Sequence, residues 1–172
     1  MRRIVTGTLL GGVITFCWGA FSWMVLPWHQ ATLRNFTNEH WVASALRDNV
    51  PKSGVYYLEQ EPTTFAAVRR EPVNPTSWRF FLKGFFVELA GAFLLTLLLL
   101  TLPELGYLRR VRVAALVGMT AAVTTHLASW NWWGFSIEFT LVSMADQVIA
   151  WSLAGLAIAA VTGRKSAPGT PV

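Results

Sequence analysis

The chain has 172 residues, with 14 Lys and Arg against 9 Asp and Glu, a formal net charge of +5 at pH 7, and 53% hydrophobic against 13% charged residues. Soluble domains carry about 25% charged residues, so roughly half that share at ordinary length points to a chain solvated mainly by lipid. Disordered, collagen-like and disulfide-stapled classes are excluded, and the one Cys can neither close an internal disulfide nor form a CxxC redox pair or a multi-cysteine zinc site.

Four segments have the roughly 20 apolar residues needed to cross a hydrocarbon core about 30 Å thick. The first, 4–26, carries no charge. Its apolar run exceeds the h-region of a signal peptide, and no small-x-small site follows, so it is expected to stay as an anchor. Cys17 does not read as a lipoprotein cysteine, because Phe16 stands where that processing site expects a small residue. The second span, 80–102, has Lys83 near its start and Glu88 inside, and ends at Pro103. The third, 113–133, has His126 as its one ionisable group. The fourth, 139–162, holds Asp146 and stops before Gly163 and Arg164.

The short flanks set the orientation, since Lys and Arg in short loops favour the cytoplasm. Arg2 and Arg3 precede the first span, Arg109, Arg110 and Arg112 lie between the second and third, and Arg164 and Lys165 follow the fourth. All fall on one side, which makes both termini cytoplasmic and places 27–78 and 131–138 outside. The positive charge thus sits where membrane orientation needs it, and nucleic-acid binding is not expected despite a sequence pI near 10.0.

The outer loop is too long for a plain connector. Thr37 is expected to cap a helix running to about Asn49, with Phe36 and Trp41 at hydrophobic-staple spacing. GVYYL at 54–58 and FAAVR at 65–69 read as a hairpin, EPVNPTSW returns the chain to the membrane, and the tail after Thr162 reads as disordered. The expected fold is therefore an all-α membrane protein, a four-transmembrane-helix bundle with a small extracytoplasmic α+β loop domain between helices 1 and 2. Its parts are 1–26, 27–78, 79–162 and a tail over 163–172.

The ionisable residues inside the spans are the candidate site. A charge at membrane depth costs several kcal/mol and rarely faces lipid. At about 1.5 Å per residue, Glu88 lies about 12 Å from the outer boundary, and His126 and Asp146 about 10 Å. Each shares a helical stripe with small residues: Gly84, Gly91 and Ala92; Ala115, Gly118 and Ala122; Ala150, Ala154 and Ala157. The three are expected to point into the bundle, with Gln147 and Thr125 beside them. Two readings remain open: an interhelical hydrogen-bond knot, or a site that binds a divalent metal, relays protons or holds a quinone head group. His29 in LPWH and His40 are placed above this level as interface residues, and haem ligation would require His29 to meet His126. Trp23, Trp28, Trp78, Trp130, Trp132 and Trp133 map to the outer boundary as an aromatic belt.

The segments GGVITFCWGAFSWMVLPWH, FTNEHWVASALRDNVPKSGVYYL and HLASWNWWGFSIEFTLVSMADQVIAWSLAGLAIA resemble an uncharacterised family of small four-span bacterial inner-membrane proteins. LPWH and SWNWWGFS are its more specific parts. The resemblance implies a bacterial inner membrane and the order of one anchor, one outer loop and three further spans; it implies no activity. With no phosphate loop, HExxH or GxSxG present, the expected role is a non-enzymatic accessory or assembly subunit, in lipid and with other membrane proteins or its own copies as partners. No cofactor is required. The alternative is a transport or redox module using a proton, metal or quinone site, and a variant of it is a pH sensor in which His126 titrates against the carboxylates.

Overall fold

A computed structural model of the chain describes residues 1–71 and 77–163. Most of EPVNPTSW and the tail from Arg164 onward lie outside the described residues. Over the described residues the protein is mostly helical, with four helices long and apolar enough to cross a membrane and one two-stranded sheet.

The first long helix, α1, spans Arg2–Met24, and α4 spans Trp78–Leu100. The third is continuous in direction but not in type: α5 (Tyr107–Ala122) passes through a π-helical turn (Val123–Leu127) into α6 (Ala128–Trp133). The fourth, α7, spans Ile137–Thr162. The main packed pairs are α5 with α7, α1 with α4 and α1 with α7, so α1 and α7 form the middle of the bundle.

Small residues permit these approaches, since apolar attraction alone does not join helices in lipid. Gly11 on α1 lies so near α4 and α7 that a Cβ there would fall 2.9 Å from the Ala92 Cβ and 2.6 Å from Ile158 Cδ1. The Ala114 Cβ on α5 comes within 2.5 Å of where a Cβ on Gly155 of α7 would stand. Ala92, Leu95, Leu99, Ala114, Ala154 and Ile158 form the buried core. Phe16 meets Phe85 edge-on at 5.4 Å, extending the α1–α4 contact.

The third span begins earlier than expected, at Tyr107 rather than near Val113, because the basic segment is itself helical. Arg110, read as one of the basic flank residues, is buried at 1% exposure. Its guanidinium donates to the carbonyls of Leu99 (3.1 Å), Pro103 (3.0 Å) and Leu105 (2.8 Å). It thereby closes the C-terminal end of α4, where helix carbonyls lack partners and a cation is favoured.

Between α1 and α4, Pro27 heads a short helix, α2 (Trp28–Thr32). Next comes α3 (Glu39–Asn49), capped by Asn38, whose side chain accepts from the Trp41 N–H at 2.9 Å. Thr37 is therefore not the cap. Phe36 and Trp41 are 65% and 69% exposed, so the expected staple does not bury them. The hairpin β1 (Gly54–Leu58) and β2 (Thr64–Val68) pairs antiparallel, β2 lying one residue earlier than expected. Arg70 ties α3 to the hairpin by donating to the carbonyls of Arg47 and Val50. Phe65 of β2 stacks on Trp133 at 4.3 Å and 22°. The reversal from α6 to α7 turns at Gly134, whose φ of 70° is left-handed and suits glycine. Ser136 then caps α7 through the Phe139 N–H.

Candidate functional site

A cavity of about 600 Å³ lies between α1, α4 and α7, toward the Met24 and Ile137 ends of the spans. That size is in the range of small-molecule sites. Glu88, His126 and Asp146 all line it, as do His29, Trp18 and Gln147. The three residues singled out from the sequence thus share one space, but none of them is hydrogen-bonded to another: Asp146 and His126 have other partners, and Glu88 has none among the described residues.

Asp146 is held from the α1 side. Trp18 Nε1–H donates to its Oδ1 at 2.6 Å, and His29 Nε2 lies 3.3 Å from its Oδ2. His29 reaches this depth because α1 ends at Met24 and α2 folds the chain back onto α7. It is no interface anchor: it is 1% exposed, stacked on Trp23 at 3.9 Å and 7°, with Trp28 edge-on at 5.5 Å. Ser22 Oγ lies 3.1 Å from the same Nε2 and accepts from Trp28 Nε1–H at 2.9 Å. One N–H shared between Asp146 and Ser22 serves both oxygen atoms that face Nε2, which assigns a proton to Nε2. Nδ1 then has no partner among the described residues.

Ser, His and Asp side by side evoke the hydrolytic triad, but the geometry differs. A triad uses the two ring nitrogens separately, one toward Ser and the other toward Asp. Here both Ser22 and Asp146 meet Nε2. The cluster orients a carboxylate; it does not activate the Ser22 hydroxyl.

His126 pairs instead with Gln147, Nε2 to Oε1 at 3.0 Å. Consecutive residues of an α-helix point about 100° apart, so Asp146 and Gln147 face different neighbours, α1 with α2 and the third span. His126 lies within the π-helical turn, a distortion often found at functional sites. Glu88 lines the cavity from α4, and its carboxylate makes no hydrogen bond or ion pair among the described residues. No group of three or more His, Cys, Asp or Glu among the described residues is arranged to hold a metal ion. The Nε2 atoms of His29 and His126 are taken by Asp146 with Ser22 and by Gln147, so neither offers that atom to a haem iron. His40 lies on α3, away from the cavity lining.

The tryptophans divide into two groups. Trp78, Trp130, Trp132 and Trp133 are 46–74% exposed at the ends of their helices. Trp28 and Trp23 are bound into the His29 cluster, Trp23 keeping 45% exposure. Sequence reasoning missed Trp18, His29 and Trp151 as cavity residues. For His29 the available signal was its position two residues after Pro27, a proline that ends α1 and returns the chain to the bundle. Trp18 and Trp151 lie within their spans, apart from the boundary belt.

No family model, no curated protein and no solved structure matches the chain.

Proposed function

We propose that the chain is a four-span protein of the bacterial inner membrane, with both termini cytoplasmic and residues 27–78 forming a periplasmic cap. Its working part is the cavity in the outer half of the bundle, where it binds a small ligand without covalent chemistry, as a carrier or sensor module does. The three basic flanks support the orientation, and the long apolar helices support the membrane setting.

One observation carries the binding reading. Asp146 and His126 have private partners in His29, Trp18 and Gln147, while the roughly 600 Å³ they line stays open between them and Glu88. A knot that served only to join helices would bring the polar groups together and close that space. Lipid is the standing partner, and copies of the chain or other membrane proteins are further ones.

Native mass spectrometry of protein gently extracted from its own membrane tests this. The expected spectrum has a protomer or homo-oligomer carrying an additional small-molecule mass. Empty protein within a hetero-oligomer would overturn it in favour of an accessory subunit, a reading favoured by the exposed rings of Trp130, Trp132 and Trp133 at one end of the bundle.

A further inference from the structure

We propose that the ligand is an amphipathic amine, its cationic head at Glu88 and its apolar chain in the groove between α1 and α4. This rests on reading the cavity as a ligand site in a membrane protein.

Glu88 borders two spaces. One is the polar cavity already described; the other is a groove of about 630 Å³ between α1 and α4, lined by Phe16, Met24, Phe80 and Phe81, with Glu88 as its one charged residue among the described residues. Gly19 and Trp23 also border both, so the two adjoin along α1. The groove is open rather than packed. A Cβ on Gly19 would meet nothing within 4 Å, and one on Gly84 only the Phe16 ring edge at 3.8 Å. An elongated molecule thus has room for a chain in the groove and for a head in the cavity.

The chemistry of the head follows from which hydrogen-bonding groups are already used. The N–H donors of Trp18 and His29 go to Asp146, and His126 is paired with Gln147. Of the two carboxylates lining the cavity, Asp146 is therefore taken, while both oxygens of Glu88 are without a partner among the described residues. An unpaired carboxylate at membrane depth costs several kcal/mol, and a bound ammonium removes that cost. Among the described residues no Lys or Arg lines either space, and the indoles of Trp18, Trp23 and Trp151 border the cavity, where aromatic rings favour cations.

The test uses the full chain in phosphatidylcholine nanodiscs, with quenching of tryptophan fluorescence by bromododecylamine and by bromododecanol, each corrected against empty nanodiscs. Wild-type protein is expected to bind the amine about tenfold or more tightly than the alcohol, a difference of about 1.4 kcal/mol. Glu88→Gln is expected to abolish that preference and leave alcohol binding unchanged. Gly84→Leu fills the groove from a position with room for a side chain and is expected to weaken both probes, with helicity and thermal midpoint retained. Equal binding of the two probes by wild type, with Gly84→Leu weakening both, would overturn the amine while leaving the ligand site standing. An amine preference that survives Glu88→Gln would overturn the role of Glu88. Binding of neither probe would overturn the amine together with the site reading.

Discussion

Asp146 holds His29 across the bundle: Oδ2 of the one lies 3.3 Å from Nε2 of the other, although 117 residues separate them in the chain. The contact joins α7 to the short helix α2 that follows α1, and the indoles of Trp18, Trp23 and Trp28 surround it. The carboxylate side chain is 16% exposed and the imidazole 1%, so the pair is shielded enough for its loss to register in stability.

Asp146→Asn is expected to destabilise the fold by about 1–3 kcal/mol, the usual range for a hydrogen bond involving a charged group. His29→Gln should cost a similar amount. The double variant is expected to fall short of the sum by about 1–2 kcal/mol, because the second change finds its partner already gone. Chemical unfolding in detergent micelles measures all four proteins. Strict additivity would mean that the pair, though close, contributes no coupling energy.

Arg110 makes a second buried charge with a different duty. The carbonyl of Leu99 in the last turn of α4 and those of Pro103 and Leu105 in the connection after it share its guanidinium, and only a planar fork with several N–H groups reaches them together. Arg110→Lys keeps the charge but loses the fork, and is expected to cost about 2–4 kcal/mol. Arg109→Gln, at an exposed neighbouring position, should stay within about 0.5 kcal/mol. Thermal unfolding followed by helicity distinguishes the two, and equal midpoints for both variants would refute the capping role.

The contrast between Arg110 and His29 explains what was legible in the sequence. The number of long apolar helices, their approximate limits and the hairpin all follow from local properties, apolar length and alternation. Which group each polar side chain meets depends on helix rotation and on where the connecting turns place their residues. Asp146 and Gln147 differ by about 100° on one helix, and that angle decides that His126 meets the amide and His29 the carboxylate. Pro27 read as the end of a span, but the fold-back of α2 behind it is a tertiary event. Arg110 looked like a flank charge because composition cannot tell a solvated guanidinium from one turned onto carbonyls. Asn38 displaced Thr37 as the cap through one residue of register, the usual uncertainty at helix ends.

A pH effect is expected at the hairpin between α1 and α4. The Ser53 hydroxyl, the backbone of Glu71 itself, and Arg69 and Arg70 together hold the Glu71 carboxyl below its ordinary 4.5. Ser53 also accepts from the Arg70 N–H at 2.8 Å, so the same contact closes the base of the hairpin. A depressed carboxyl pKa contributes stability that is present above the unfolded value and is lost as pH falls through the folded value. Protection of hairpin amides, measured by hydrogen exchange and corrected for intrinsic rates, should therefore be constant above about pH 5 and decline as pH drops below about 4.5. Ser53→Ala should weaken protection at neutral pH and flatten that decline. A protection profile that is pH-independent in the wild type would show that Glu71 does not stabilise the hairpin.

Trp151 is wedged between two glycines on different helices, which sets the size of the cavity wall beside it. A Cβ on Gly91 of α4 would fall 2.5 Å from the indole Cη2, and one on Gly118 of α5 would fall 2.7 Å from the Trp151 Cβ. The first conflict is with the far end of the ring, and the second is with the root of the side chain. Gly91→Ala is therefore expected to destabilise by about 1–3 kcal/mol through overpacking, although alanine is the better helix former. Trp151→Phe removes the ring atoms that would collide with the new methyl, so adding it should restore part of the loss. The same change should not rescue Gly118→Ala, since phenylalanine keeps the Cβ that stands in the way. Thermal midpoints of the three single variants, the two double variants and the wild type measure this, and equal rescue of both alanine substitutions would show that Trp151 is not seated between α4 and α5 in this manner.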